Sequence, residues 1–212
     1  MSVDDSAVTE HAVRTGAHVT AYLACGPSDG APMLFLHGWP DLAIAWREQL
    51  AFFGARGYRC IAPDMRGYGG SSVPADRGAY AVESIVDDML ALRRELALGP
   101  AVWVGHDWGA PIVWALAAFH PEACRAVANL CVPYFADGFS PDVLVPLVDR
   151  TVYPQETYPT GQWDYQYYYE TAFDEATATF EADLAATFKT LIRGGSPAFR
   201  GRVARTAHVT RD

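Results

Sequence analysis

Two runs of β-forming residues, AVTEHAVRT (7–15) and AHVTAYLAC (17–25), flank Gly16 and run into GPSDGAP. That pattern predicts an antiparallel hairpin followed by a turn. PMLFLHG (32–38) is a continuous apolar run, as expected of a strand covered on both faces. In DLAIAWREQLAFFGARG (41–57), Trp46, Leu50 and Phe53 recur at helical spacing, and Gly57 supplies a stop. YRCIAPD (58–64) reads as the next strand. AVESIVDDMLALRRELALG (81–99) places Ile85, Met89, Leu92 and Leu96 on one helical stripe. Its acids come early and Arg93 and Arg94 late, as the helix dipole favours, and Gly99 and Pro100 close it. AVWVG, WGAPIVWALAAFH and CRAVANLCV then read as strand, helix and strand. The alternation from 32 to 132 predicts an α/β fold with a mostly parallel sheet wrapped by helices.

The pattern changes after Pro133. Residues 133–212 lose the alternation and become rich in Tyr, Thr and Pro; TYPTGQWDYQYYYE (157–170) is dense in aromatics. FEADLAATFKTLIRG (180–194) predicts one amphipathic helix with Leu184, Phe188, Leu191 and Ile192 on one side. The expected organisation is the N-terminal part of a core (1–132) followed by a partial helical cap, or lid (133–212).

Composition narrows the function. The chain has 212 residues, half of them hydrophobic, and a net charge of −9. A packed core is expected, and nucleic acid is excluded as a partner because phosphate binding needs clustered Lys and Arg. The N-terminus MSVDDSAVTE has no apolar signal region, and no run of about 18 apolar residues suggests a membrane span. Cys25, Cys60, Cys124 and Cys131 show no CxxC pairing. Cys60 and Cys131 sit in apolar runs and read as buried free thiols, which favours the cytoplasm. No metal-ligand spacing or dinucleotide fingerprint occurs, so neither metal nor cofactor is expected. His11 and His18, on the predicted hairpin, read as surface residues without partners.

The chemistry gathers at GHDWGA (105–110), where a strand meets a helix. Small residues at Gly105 and Gly109 around a reactive residue form the elbow pattern that lifts a nucleophile above the sheet. The central residue is Asp107. It reads either as a helix cap or as a carboxylate nucleophile, which needs no general base before it attacks.

Residues 8–195 resemble the epoxide hydrolases of the α/β-hydrolase fold and their dehalogenase relatives. FLHGWP (35–40) resembles the family's H-G-x-P motif, DMRGYGGSSVP (64–74) its D-x-R-G-x-G-x-S loop, and GHDWGAPIVW (105–114) its nucleophile segment. The resemblance implies Asp107 as nucleophile, with the backbone N–H groups of Trp39 and Trp108 as oxyanion hole. It implies His37 as a brace for the loop and Pro40 as the residue that fixes its course. WDYQYYYE (163–170) resembles the lid segment of the epoxide hydrolases, which makes Tyr165 the ring-opening acid with Gln166 beside it. A small epoxide and water are the implied reactants.

The family's water-activating His, its acid and its second lid Tyr have no counterpart in the aligned motifs. His120 reads as a surface helix end and His208 lies in the unmatched tail. The expectation is a truncated hydrolase whose sheet exposes an edge and an uncovered apolar face. A second copy or a complementing C-terminal chain would be its partner. Rival readings are a dehalogenase using the same Asp, or a non-catalytic binding module.

Overall fold

A computed structural model describes residues 8–192 and 201–208. The chain divides into two units, Met1–Tyr134 and Phe135–Asp212.

The first unit carries β1 (Thr9–Thr15), β2 (His18–Cys25), β3 (Ala31–Leu36), α1 (Arg47–Gly54), β4 (Tyr58–Pro63), α2 (Val82–Glu95), β5 (Ala101–His106), α3 (Gly109–Phe119) and β6 (Cys124–Leu130). The strands form one sheet in the order β1-β2-β4-β3-β5-β6. β1 pairs with β2, and β2 with β4, antiparallel; β3, β4, β5 and β6 run parallel. The hairpin and the parallel sheet are those the periodicity predicts.

β3 shows why the apolar runs make central strands. Leu34 and Leu36 face one layer, with Met89, Leu92, Val113 and Leu116 of α2 and α3. Met33 and Phe35 face the other, with Leu50 of α1 and Trp46. Alternate residues thus point to opposite faces, and both faces are covered. Trp103 on β5 is fully buried, and its indole N–H donates to the Ala123 carbonyl at 3.0 Å. β6 and β1 are the edge strands of the sheet, and β6 closes the parallel side. Its Leu130 is 44% exposed, and Phe119 at the end of α3 is 78% exposed.

Three predicted boundaries are corrected. The helix over 41–57 starts as a 3-10 turn at Ala43–Trp46 and is α-helical only over Arg47–Gly54. α2 stops at Glu95, before Gly99 and Pro100, because Ala97 turns left-handed (φ 51) and the Leu98 N–H closes back onto the Arg93 carbonyl. The helix expected over 180–194 is two helices, and its last two residues lie outside the described ones.

The second unit carries α4 (Pro141–Leu144), α5 (Asp164–Thr171), α6 (Phe173–Ala182) and α7 (Leu184–Leu191). Asp183 breaks α6 from α7: its backbone is extended, and its side chain caps α7 by accepting the Ala186 N–H. Leu184, Phe188 and Ile192 are exposed. Arg150 holds the irregular part of this unit by donating to the carbonyls of Val145, Tyr153, Tyr158 and Pro159.

Candidate active site

β3 and β5 are neighbours in the sheet, yet the chain leaves β3 for β4 on one side and reaches β5 on the other. Their C-terminal ends flank the switch point of the sheet, where open α/β folds form their ligand crevice. Gly38, Trp39 and Pro40 follow β3, and Asp107 follows β5, so both predicted motifs open at that point.

Asp107 turns the chain with a left-handed backbone (φ 50), a conformation that Asp tolerates better than most residues. Trp108 is already helical and α3 follows from Gly109. The turn requires its glycines. A Cβ at Gly38 would collide with the Asp107 side chain, and one at Gly109 with the Leu36 carbonyl. A Cβ at Gly105 would strike Asn129 on β6, whose buried amide has no hydrogen-bond partner among the described residues.

A hydrogen bond joins the two motifs. The backbone N–H of Trp39 donates to Asp107 Oδ1 at 2.8 Å. Trp39 and Pro40 are joined by a cis peptide, and Trp108 is 47% exposed. His37 is buried under this loop. Its Nδ1–H donates to the Gly38 carbonyl at 2.9 Å, and its Nε2 accepts the Met65 N–H at 3.0 Å. Burial holds the imidazole below its ordinary pKa, against the opposing pull of the Gly38 carbonyl, Asp64 and Asp41. Both nitrogens are engaged, so the ring bridges the Gly38 carbonyl and the Met65 N–H.

The loop after β4 completes the scaffold. Asp64 accepts the Ala43 N–H at 2.8 Å and the Gly70 N–H at 3.0 Å, one on each oxygen. Ser71 Oγ donates to the Asp64 carbonyl and accepts the Ala21 N–H; Ser72 Oγ accepts the Val19 N–H. Tyr68 stacks edge-on against His37, and burial together with the negative charge of Asp107 pushes its hydroxyl up to about 12. His106 lies 3.9 Å from Asp41 and edge-on to Trp46.

The remaining predicted residues, Tyr165 and Gln166, lie on α5 in the second unit. The Gln166 amide donates to the Tyr165 hydroxyl at 3.2 Å, and Tyr169 packs edge-on against the Tyr165 ring at 5.6 Å. Burial and the neighbouring phenols Tyr165 and Tyr168 push Tyr169 up to about 12.

Three sequence expectations fail. His11 has partners, the Thr9 hydroxyl at 2.8 Å and the stacked Tyr22 ring. His18 has a partner: its Nε2 lies 3.4 Å from Asp88 on α2, with both side chains largely buried. Cys131 is exposed, because the chain leaves β6 through a left-handed residue there (φ 71) and the strand stops one residue short of it. All four cysteines are free thiols, and burial raises Cys60 to about 12. Sequence reading also missed Arg66 and Asp88, which form a forked ion pair at 2.7 Å. Among the described residues no cluster of three or more His, Cys, Asp or Glu could hold a metal, and no helix is long and apolar enough to cross a membrane.

Residues 31–204 match the family described as alpha/beta hydrolase fold. The chain belongs to that family. Its curated relatives include an epoxide hydrolase of Caballeronia sordidicola, 45% identical over 52% of this chain and 34% of the relative. Epoxide hydrolase A of Mycobacterium tuberculosis is 37% identical over 79% of this chain and 49% of its own length. Bifunctional epoxide hydrolase 2 of Sus scrofa is 34% identical over 80% of this chain and 29% of the relative. The chain therefore spans half or less of the length of these alpha/beta hydrolase relatives. Among solved structures, an epoxide hydrolase from Vigna radiata superposes with a TM-score of 0.62 at 33% identity, over 72% of this chain and 47% of that one.

Proposed function

We propose that this chain carries the alkylating half of an epoxide hydrolase reaction. The observation that supports this most directly is the Trp39 N–H on Asp107 Oδ1. That bond fixes one carboxylate oxygen in the crevice and leaves Oδ2 to attack. The N-terminus of α3 favours the negative charge. In the proposed step, Oδ2 forms a bond to a ring carbon of the epoxide as the carbon–oxygen bond breaks. The electron pair goes to the ring oxygen, which takes a proton from Tyr165, hydrogen-bonded to Gln166. The product is a hydroxyalkyl ester of Asp107.

Hydrolysis of that ester puts negative charge on Oδ1, where the Trp39 and Trp108 N–H groups would form the oxyanion hole. Water then needs a base. His37 is buried with both nitrogens engaged and does not serve as that base. That the relatives are epoxide hydrolases favours an epoxide over a halide as substrate.

Incubation of the folded chain with styrene oxide tests the proposal by intact-mass spectrometry. A covalent epoxide adduct, or release of diol, supports it; an unmodified protein that releases no diol contradicts it. We also place the chain in the cytoplasm, as its four free thiols fit a reducing compartment. Residues 133–212 are proposed as its partial helical cap. A second copy or a complementing chain would add at the β6 edge. Cell fractionation and a sizing column test these two statements.

A further inference from the structure

Asp88 is charged, 5% exposed and on α2, away from both motifs of the active site. Arg66 grips it with a fork, Nε to Oδ2 and the terminal nitrogen to Oδ1, both at 2.7 Å. His18 of β2 faces the same carboxylate at 3.4 Å. Asp87 and Tyr80 add negative and phenolic groups around Arg66, whose charge the cluster reinforces. Buried ion pairs contribute little net stability compared with apolar packing, because desolvation offsets their attraction. Their geometry is nevertheless fixed, and a forked Arg–carboxylate pair has little freedom to slide.

That fixed geometry leads to Asp107 in short steps. Arg66 is bonded covalently to Met65, whose N–H donates to His37 Nε2 at 3.0 Å. His37 Nδ1–H donates to the Gly38 carbonyl at 2.9 Å. Gly38 is followed by Trp39, whose N–H donates to Asp107 Oδ1 at 2.8 Å. Ser71 and Ser72 pin the far end of the same loop to β2, so Arg66 sits on a segment tied at both sides.

We infer that Asp88 is a positioning residue for the nucleophile. By clamping Arg66 it holds the Met65 N–H on His37, and through His37 it sets the Trp39 N–H that aligns the Asp107 carboxylate. The inference rests on the proposed role of Asp107, but its geometry can be read without any reaction. Asp88→Asn removes the charge and keeps the shape; Arg66→Lys keeps the charge and loses the fork.

The test is amide hydrogen exchange by NMR on the folded full chain, with the rate of styrene oxide adduct formation as a second readout. In Asp88→Asn the Trp39 amide exchanges about tenfold faster, while amides of Leu34 and Leu116 keep their wild-type protection. Adduct formation at saturating epoxide slows, with the half-saturating concentration unchanged. Arg66→Lys gives the same pattern and carries the test if Asp88→Asn does not fold. An unchanged Trp39 amide overturns the inference, and so does uniform acceleration at all three amides, which marks plain destabilisation. If the wild-type chain forms no adduct, the epoxide reading fails while the Trp39 amide still decides the role of Asp88.

Discussion

The backbone N–H of Trp39 donates to Asp107 Oδ1 at 2.8 Å, joining residues that stand 68 positions apart in the chain. This bond distinguishes the two carboxylate oxygens before any substrate arrives. Asp107→Asn tests the chemistry cleanly, because Asn also tolerates the left-handed backbone that residue 107 adopts. The variant should melt close to the wild type and alkylate at least about 10³-fold more slowly. Thermal melting and the rate of adduct formation check the two halves of this statement.

Gly38→Ala should damage fold and site together. Its Cβ would collide with Asp107 Cβ and Oδ1, and the Trp108 backbone stands close by. Overpacking of this kind costs about 1–3 kcal/mol, read from the urea midpoint. Because the collision is with the proposed nucleophile, alkylation should fall further than the lost stability explains.

Much of this site could be read from the sequence, and the limits have physical causes. FLHGWP and GHDWGA each combine a local strand signal with small residues, so the elbow and its loop were visible. The hydrogen bond between them was implied only by resemblance. Arg66 and Asp88 were missed because a pairing across 22 residues leaves no periodic trace. His18 was misread for the same reason. α2 ended early because Ala97 takes a left-handed turn that composition assigns to glycine. Asp183 fits an amphipathic pattern as well as it fits a cap, and only its backbone separates α6 from α7.

His37 gives the fold a pH dependence of known sign. Its folded pKa lies below the ordinary value of about 6.5, chiefly through burial. The unfolded chain therefore binds the proton more readily. Stability from the neutral ring is complete above about pH 6.5 and is lost as pH falls below it, through the folded value. His18 is lowered by burial too, with Asp88 opposing and Arg66 adding, and acts in the same direction. Melting curves from pH 7.5 to 4.5 should show a steeper acid loss for the wild type than for His37→Gln. Parallel losses would contradict a buried neutral His37.

Tyr165→Phe should slow adduct formation by about 10²-fold at unchanged melting temperature, since a positioned acid contributes about 10²–10⁴. A smaller loss for Gln166→Ala would agree with a residue that only orients the phenol. Equal rates for wild type and Tyr165→Phe would remove Tyr165 from the reaction.

Cys131 is the thiol to label. It is exposed, whereas Cys25 and Cys60 are buried and burial raises the pKa of both. Limiting iodoacetamide on the folded chain should modify Cys131 first and leave Cys60 intact. Cys131→Gly should stabilise by about 1 kcal/mol, because glycine takes φ 71 without a Cβ penalty.

Peptide mapping of the styrene oxide adduct tests the central claim most directly. The account predicts a single hydroxyalkyl ester on the Asp107 carboxylate of the wild-type chain and none on folded Asp107→Asn. An adduct on another residue, or equal modification of the two proteins, would contradict it.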